Sequence, residues 1–64
     1  MSELHTYKVL ALVIYRDERK LVTTNIIRAK DKKEAKKIVE RRYLRLPNAS
    51  EVIINEEVDI IKLV

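Results

Sequence analysis

The sequence predicts an α+β domain with the element order ββαβ: a three-stranded antiparallel sheet with one amphipathic helix on one face. Two β-branched runs are separated by a short polar break, a capped helical pattern follows them, and a third β-rich run closes the chain. The 64 residues allow one domain, residues 1–64, and a chain of this size buries only about 60% of its unfolded surface. There is no Cys, so neither a disulfide nor a Cys-based zinc site can stabilise it.

The first strand is predicted at residues 6–16, TYKVLALVIYR, and it is apolar on both faces. One face carries Val and Ala at odd positions, and the other carries Leu and Ile at even positions. The helix can cover one face, and a second copy of the chain is the simplest cover for the other. We therefore predict a homodimer whose interface is formed by Val9, Ala11, Val13 and Tyr15.

The second strand is predicted at residues 21–29, LVTTNIIRA, and it should pair with the first as an antiparallel hairpin. The connecting segment 16–20, RDERK, lacks an Asn-Gly or Asp-Gly pair, which favours a loop longer than two residues. The chain has no Gly, so Asn and Asp are expected wherever a turn needs positive φ. The candidates are Asp17, Asn25, Asn48 and Asn55.

The helix is predicted to begin at Asp31, because Asp31 and Glu34 form a D-x-x-E capping pattern. It should end at Leu46, which precedes the single proline. Arg42 falls in the middle of the apolar face and is expected to reach past the small core to its edge. That face is formed by Ala35, Ile38, Val39, Arg42, Tyr43 and Leu46.

The third β segment is predicted at residues 51–64, EVIINEEVDIIKLV. Glu56 and Glu57 interrupt its apolar pattern and indicate a bulge or a bend between residues 52–54 and 58–63.

The positive charge is concentrated on the helix and on the residues that lead into it. The formal charge is +6 over residues 28–45, +1 over residues 1–27 and −3 over residues 46–64, which gives the chain its net +4. Lys33, Lys37 and Arg41 stack at intervals of four residues, directly away from the apolar face. This pattern has two interpretations, a solvated helix face or a surface that binds the phosphates of a nucleic acid. The candidate nucleic-acid-binding residues are Lys33, Lys36, Lys37, Arg41 and Arg45, helped by Arg28 and Lys30.

The sequence lacks the residue combinations that most catalytic mechanisms require. His5 is the only histidine, no serine has a histidine placed as its base, and a Gly-rich phosphate loop is impossible without Gly. We therefore expect no enzyme activity, no metal and no cofactor. The longest apolar run, Val9 to Tyr15, is too short to span a bilayer, which favours a soluble cytoplasmic protein without a membrane partner. The abundance of Ile, Val, Lys and Glu is typical of thermophilic sources.

The segment IIRAKDKKEAKKIVERRYLRLPNASEVIINEEVDII resembles a small archaeal ribosomal protein family called LX. The resemblance lies in the A-x-x-x-x-E-A start of the helix from Ala29 to Ala35, in its basic end, and in the closing strand VIINEEV, residues 52–58. Small phage and archaeal virus proteins show a similar pattern. The resemblance implies a ββαβ fold and a contact with RNA or a ribonucleoprotein.

Three hypotheses of function follow, of which the third is an assembly role in which the acidic third strand of one chain meets the basic helix of the next. In the first, the chain is a small basic module that contacts nucleic acid or a nucleoprotein through the helix. In the second, it is a homodimeric protein–protein adaptor or inhibitor, such as a viral protein that docks a host protein through a sheet edge or through the first strand.

Overall fold

The computed structural model describes residues 3–63, which form an antiparallel sheet and one helix. The predicted α+β class is therefore confirmed. The third β segment, predicted as one interrupted strand, is two strands in the structure. In chain order, the elements are β1 (His5–Tyr15), β2 (Lys20–Ala29), α1 (Lys32–Leu44), β3 (Ala49–Ile53) and β4 (Ile60–Lys62).

Strand β1 is the centre of the sheet. It pairs with β2 over ten residues, from His5 opposite Ala29 to Ile14 opposite Lys20. Its other edge is shared by the last two strands, since β3 pairs with the second half of β1 and β4 with the first half. The predicted pairing of the first two strands as an antiparallel hairpin is confirmed.

The hairpin turn is longer than two residues, as predicted, but its strained residue is not one of the expected ones. Glu18 has φ 71°, in the left-handed region that costs a residue with a Cβ about 1–2 kcal/mol. Asp17 holds the loop together, because its carboxylate accepts hydrogen bonds from the Arg19 backbone N–H at 3.2 Å and from Arg19 Nε at 2.6 Å. Among residues 3–63, no Asn or Asp has positive φ.

The helix begins where the capping pattern predicts. Asp31 is the N-cap, and its Oδ1 accepts a hydrogen bond from the Glu34 backbone N–H at 2.8 Å. Glu34 reaches back, and its Oε1 accepts from the Lys30 backbone N–H at 3.2 Å. The helix then runs for 13 residues, and within residues 3–63 no helix has the length and apolar character that a membrane crossing requires.

A turn at residues 55–59 separates β3 from β4, which confirms the predicted bend at Glu56 and Glu57. Asn55 and Asp59 fix this turn, because Asp59 Oδ2 accepts from the Asn55 backbone N–H at 2.8 Å and the Asp59 N–H donates to the Asn55 carbonyl at 2.7 Å. The Asp59 carboxylate therefore accepts a backbone hydrogen bond of the turn.

One face of the sheet packs against the helix and forms the core. Helix residues Ala35 and Val39 are completely buried in one cluster with side chains from all three strand columns of the sheet. The other residues of this cluster are Ile54, which directly follows β3, and the strand residues Tyr7, Val9, Ala11, Ile27, Ala29 and Ile60. Odd-numbered side chains of β1 therefore point towards the helix.

This burial corrects the residues predicted for the homodimer interface. Val9, Ala11 and Val13 are 0%, 1% and 0% exposed within the single chain, so they have no surface to offer a second copy. Tyr15, the fourth residue of that set, is half-buried. The helix covers the odd-numbered face, where Ala11 is buried in the same cluster as Ala35 and Val39.

Candidate nucleic-acid interface

The three stacked cations of the helix, Lys33, Lys37 and Arg41, are all exposed along α1. We call them the helix column. Successive members are four residues apart, which is about 6 Å along the helix axis. Arg45 and Lys30 are also exposed, and they extend the positive charge beyond both ends of the column.

The cations of the helix column form no salt bridge in the part of the chain that the structure describes. There, the ion pair present is Arg19–Asp17 in the hairpin loop, with Nε and Oδ2 2.6 Å apart. Three acids lie near the column. The Asp31 and Glu34 carboxylates accept from backbone N–H groups, and Glu40 forms no ion pair among residues 3–63. The positive charge of the helix therefore faces solvent.

A shallow groove of about 210 Å³ lies at the start of the helix. Lys30, Lys33 and Lys37 line it together with Asp31 and Glu34. The carboxylates of Asp31 and Glu34 accept the capping hydrogen bonds, whereas the three ammonium groups form no ion pair in the part of the chain that the structure describes. They can contact an anion without breaking a hydrogen bond of the fold.

A second groove, of about 360 Å³, lies along the last two turns of the helix. Its walls are Ile38, Arg41, Arg42 and Arg45, which recur at intervals of three and four residues. We call Arg41, Arg42 and Arg45 the arginine cluster. Guanidinium groups bind phosphate oxygens through two parallel N–H donors, so a cluster of three is suited to a phosphate backbone.

Arg42 joins the arginine cluster, although helical periodicity places it in the middle of the apolar face. Its side chain is exposed. Leu46, expected on the same face, lies beyond the helix and is 40% exposed. The apolar face of the helix is therefore shorter and narrower than predicted, since Ala35 and Val39 are the helix residues that are buried.

Two of the predicted binding residues lie apart from these grooves. Arg28 is opposite Thr6 in the β1–β2 register, between the buried Ile27 and Ala29, so its side chain projects from the sheet face that the helix does not cover. Lys36 is half-buried on the helix and lines neither groove. The structure therefore brings together Lys30, Lys33 and Lys37 at one end of the helix, and Arg41 and Arg45 at the other.

A buried hydrogen bond that sequence reasoning missed fixes the arginine end of the helix to the sheet. Asn25, expected in a turn, lies within β2 and is 6% exposed. Its Oδ1 accepts from the Tyr43 hydroxyl at 2.7 Å, and its Nδ2 donates to the Val9 carbonyl at 3.3 Å and to Thr23 Oγ1 at 3.1 Å. The sequence signal for this contact was the position of the polar Asn25 inside a predicted strand, between Thr24 and Ile26.

The sheet face away from the helix is the other large feature of the surface, and we call it the open face. Its central part is apolar on all three strand columns. The apolar residues are Leu10, Leu12 and Ile14 on β1, Val22 and Ile26 on β2, Ile53 on β3 and Ile61 on β4. The four outer ones are between 43% and 68% exposed.

Comparisons with protein-family models, with curated proteins and with solved structures give no match for this chain. The function is therefore argued from the two basic grooves and the open face. The resemblance to the LX family stays a prediction.

Proposed function

We propose that the protein is a small, non-enzymatic binding module that contacts the phosphate backbone of nucleic acid through α1. The observation that carries the proposal is the helix column, three exposed cations without a carboxylate partner among residues 3–63. The proposal also takes β3 and β4 as one interrupted strand, so that the chain is a ββαβ module with its helix on one sheet face.

The column has an energetic cost that favours this function over simple solvation. Each pair of like charges four residues apart destabilises a helix by about 0.2–0.5 kcal/mol, and the column contains two such pairs. Replacing Lys37 by Glu would turn both pairs into attractive ones. A polyanion supplies the missing negative charge and offsets this cost.

The proposed contact is with phosphates and not with bases. A duplex carries one negative charge per about 1.7 Å of its axis, so the roughly 12 Å that the helix column spans faces several phosphates. Tyr43 is the aromatic residue of the helix. It packs against the core, and its hydroxyl donates a hydrogen bond to Asn25 Oδ1. The helix therefore offers no ring for stacking, and its contacts carry little sequence information.

The first test is a binding titration at low salt with fluorescently labelled duplex DNA, duplex RNA and single-stranded RNA of the same length. The test variant is the triple substitution Lys33→Gln, Lys37→Gln and Arg41→Gln. Neutralising a cation that binds a phosphate weakens binding at low salt, and we expect the triple variant to bind at least about tenfold more weakly than the wild type.

The matched control removes the same net charge from another part of the surface. It is the triple substitution Arg16→Gln, Arg19→Gln and Lys62→Gln, at exposed positions in the hairpin loop and β4. We expect the control to keep at least half of the wild-type affinity. Equal losses in the two variants would mean that net charge alone determines binding, and the proposed site would be wrong.

An acidic protein surface is the other polyanion that the helix could meet. It becomes the better explanation if the wild type binds none of the three nucleic acids at low salt and nuclease treatment does not release it from its cellular complexes. That outcome would favour the adaptor hypothesis.

A further inference from the structure

We propose that the open face is a homodimer interface, in which two copies pack sheet against sheet by a two-fold axis parallel to β1. The proposed occupant is a second copy of this chain. This goes beyond nucleic-acid binding, because the open face and the helix column lie on opposite sides of the molecule.

The chain has the surface and the shape of half a globule. A folded monomer of 7.6 kDa exposes about 4300 Å², whereas this chain exposes 4789 Å². Its radius of gyration is 12.0 Å, compared with about 10.7 Å for a compact chain of 64 residues. The elongated shape, 42 × 21 × 14 Å, contributes to the larger radius of gyration, and the uncovered sheet face contributes to the larger exposed area.

The area of the open face is sufficient for a specific interface. A strand of eleven residues is about 36 Å long, and three strand columns about 4.8 Å apart are about 14 Å wide. The third column is shorter, since β3 has 5 residues and β4 has 3, so each copy contributes at most about 500 Å². Two copies then bury at most about 1000 Å², which is the lower limit of a biological interface. Face-to-face sheets pack about 10 Å apart with their strands within about 30° of each other.

The residues of the open face are self-complementary about an axis parallel to β1. Such an axis keeps each row of the sheet at its own height and exchanges its two edges. Val22 and Ile53 flank Leu12 in one row, and Ile26 and Ile61 flank Lys8 in another. Val22 would thus lie over Ile53 of the second copy, and Ile26 over Ile61 of the second copy, so that apolar residues meet apolar residues.

The charged residues select this axis over the alternative. Lys20 and Glu51 flank Ile14 on opposite edges of one row, so the axis along β1 places Lys20 of each copy over Glu51 of the other. A two-fold axis perpendicular to the strands would place Lys20 over Arg28 of the second copy, which is repulsive. The same axis places Lys8 of each copy over Lys8 of the other. Lys8 is the fourth residue of β1, near the end of the sheet, so the two long side chains must extend to solvent at the rim to avoid this like-charge contact.

The experiment measures the molar mass of the full chain in solution by sedimentation, from micromolar to submillimolar concentration. We expect a dimer. Val22→Glu places a charge in the interface at a position that is 68% exposed in the single chain, so the fold should tolerate it. We expect this variant to dimerise at least about a hundredfold more weakly, because the new carboxylate would be buried against the apolar Ile53 of the second copy. Leu44→Glu, at an exposed apolar residue of the helix, is the control and should leave the mass unchanged.

A charge exchange tests the axis itself. Lys20→Glu or Glu51→Lys alone should weaken the dimer about tenfold, because each creates two repulsive pairs, and the double variant should restore it. Circular dichroism confirms that each variant is folded. The proposal is overturned if the wild type is monomeric at all concentrations. This holds even if the monomer binds lipid vesicles or another protein through the open face. The proposed geometry is overturned if Val22→Glu dimerises as strongly as the wild type. It is also overturned if the double variant of Lys20 and Glu51 does not regain the dimer affinity of the wild type.

Discussion

Removing the Tyr43 hydroxyl should destabilise the protein by much more than its size suggests. In Tyr43→Phe, the Asn25 Oδ1 loses the donor that lies 2.7 Å away. Asn25 is 6% exposed, so water cannot freely replace that donor. An unsatisfied buried acceptor costs about 1–3 kcal/mol. Tyr43 is half-buried, which admits some solvent and places the expected loss near the lower part of that range, at about 1.5 kcal/mol.

This loss is large for so small a domain. Typical stabilities of about 0.05–0.15 kcal/mol per residue give a chain of this length about 3–10 kcal/mol in total. A loss of about 1.5 kcal/mol lowers the melting temperature by about 6–12 °C. The assay is thermal and urea unfolding followed by far-UV circular dichroism, with all variants at one protein concentration because a dimer's stability depends on it.

Tyr15→Phe is the matched control. Tyr15 is also half-buried, but its hydroxyl makes no hydrogen bond to any residue between 3 and 63. We expect its melting temperature to change by less than about 2 °C. If the two variants lose the same stability, the hydrogen bond does not fix the helix to the sheet and the reasoning is refuted.

Three further predictions concern the start of the helix, the hairpin loop, and the combination of the two proposed surfaces. Asp31→Ala should cost about 1 kcal/mol in urea unfolding because the Glu34 N–H loses its acceptor, whereas Asp31→Asn should stay close to wild type; equal losses would show that the cap contributes nothing. Glu18→Gly should be more stable than Glu18→Ala by about 1 kcal/mol in the same assay, since Gly relieves the left-handed backbone and Ala does not. If both proposals hold, a dimer carries one basic helix on each outer face and should retain a labelled duplex on beads that carry an unlabelled duplex. Val22→Glu should bind each duplex and fail to bridge them; bridging by that variant would contradict the combination.

Local sequence signals predicted the helix start and the bend in the third β segment. Asp31 and Glu34 act within one turn of chain, and their hydrogen bonds need no distant partner. Glu56 and Glu57 interrupt an apolar run, and a break in the pattern indicates a break in the strand. These features depend on neighbours in the chain, which is why the sequence alone determines them.

The choice of sheet face could not be predicted in the same way. Both faces of β1 are apolar, so the pattern does not say which face the helix covers. The structure shows that Ala11 and the residues beside it receive the helix, while Leu12 and its neighbours remain on the open face. That choice depends on how closely the helix can approach, and therefore on packing between distant segments. For this reason, the prediction of Val9, Ala11 and Val13 as interface residues was wrong.

The position of Arg42 shows a similar limit for the candidate site. Helical periodicity places Arg42 near Ala35, but only two helix residues are buried in so small a core. The width of a buried stripe depends on the sheet beneath it, which periodicity does not describe. Arg42 joins the arginine cluster because the buried part of the helix is too narrow to include it.

The salt dependence of binding tests the central claim most directly. Each phosphate contact contributes about −0.9 to the slope of log affinity against log salt concentration for a duplex. A site that includes the helix column predicts a slope of about −3 or steeper, and the triple substitution of Lys33, Lys37 and Arg41 should make it shallower by almost 3. A wild-type slope near zero, or a slope that the triple substitution leaves unchanged, would show that α1 does not bind phosphates.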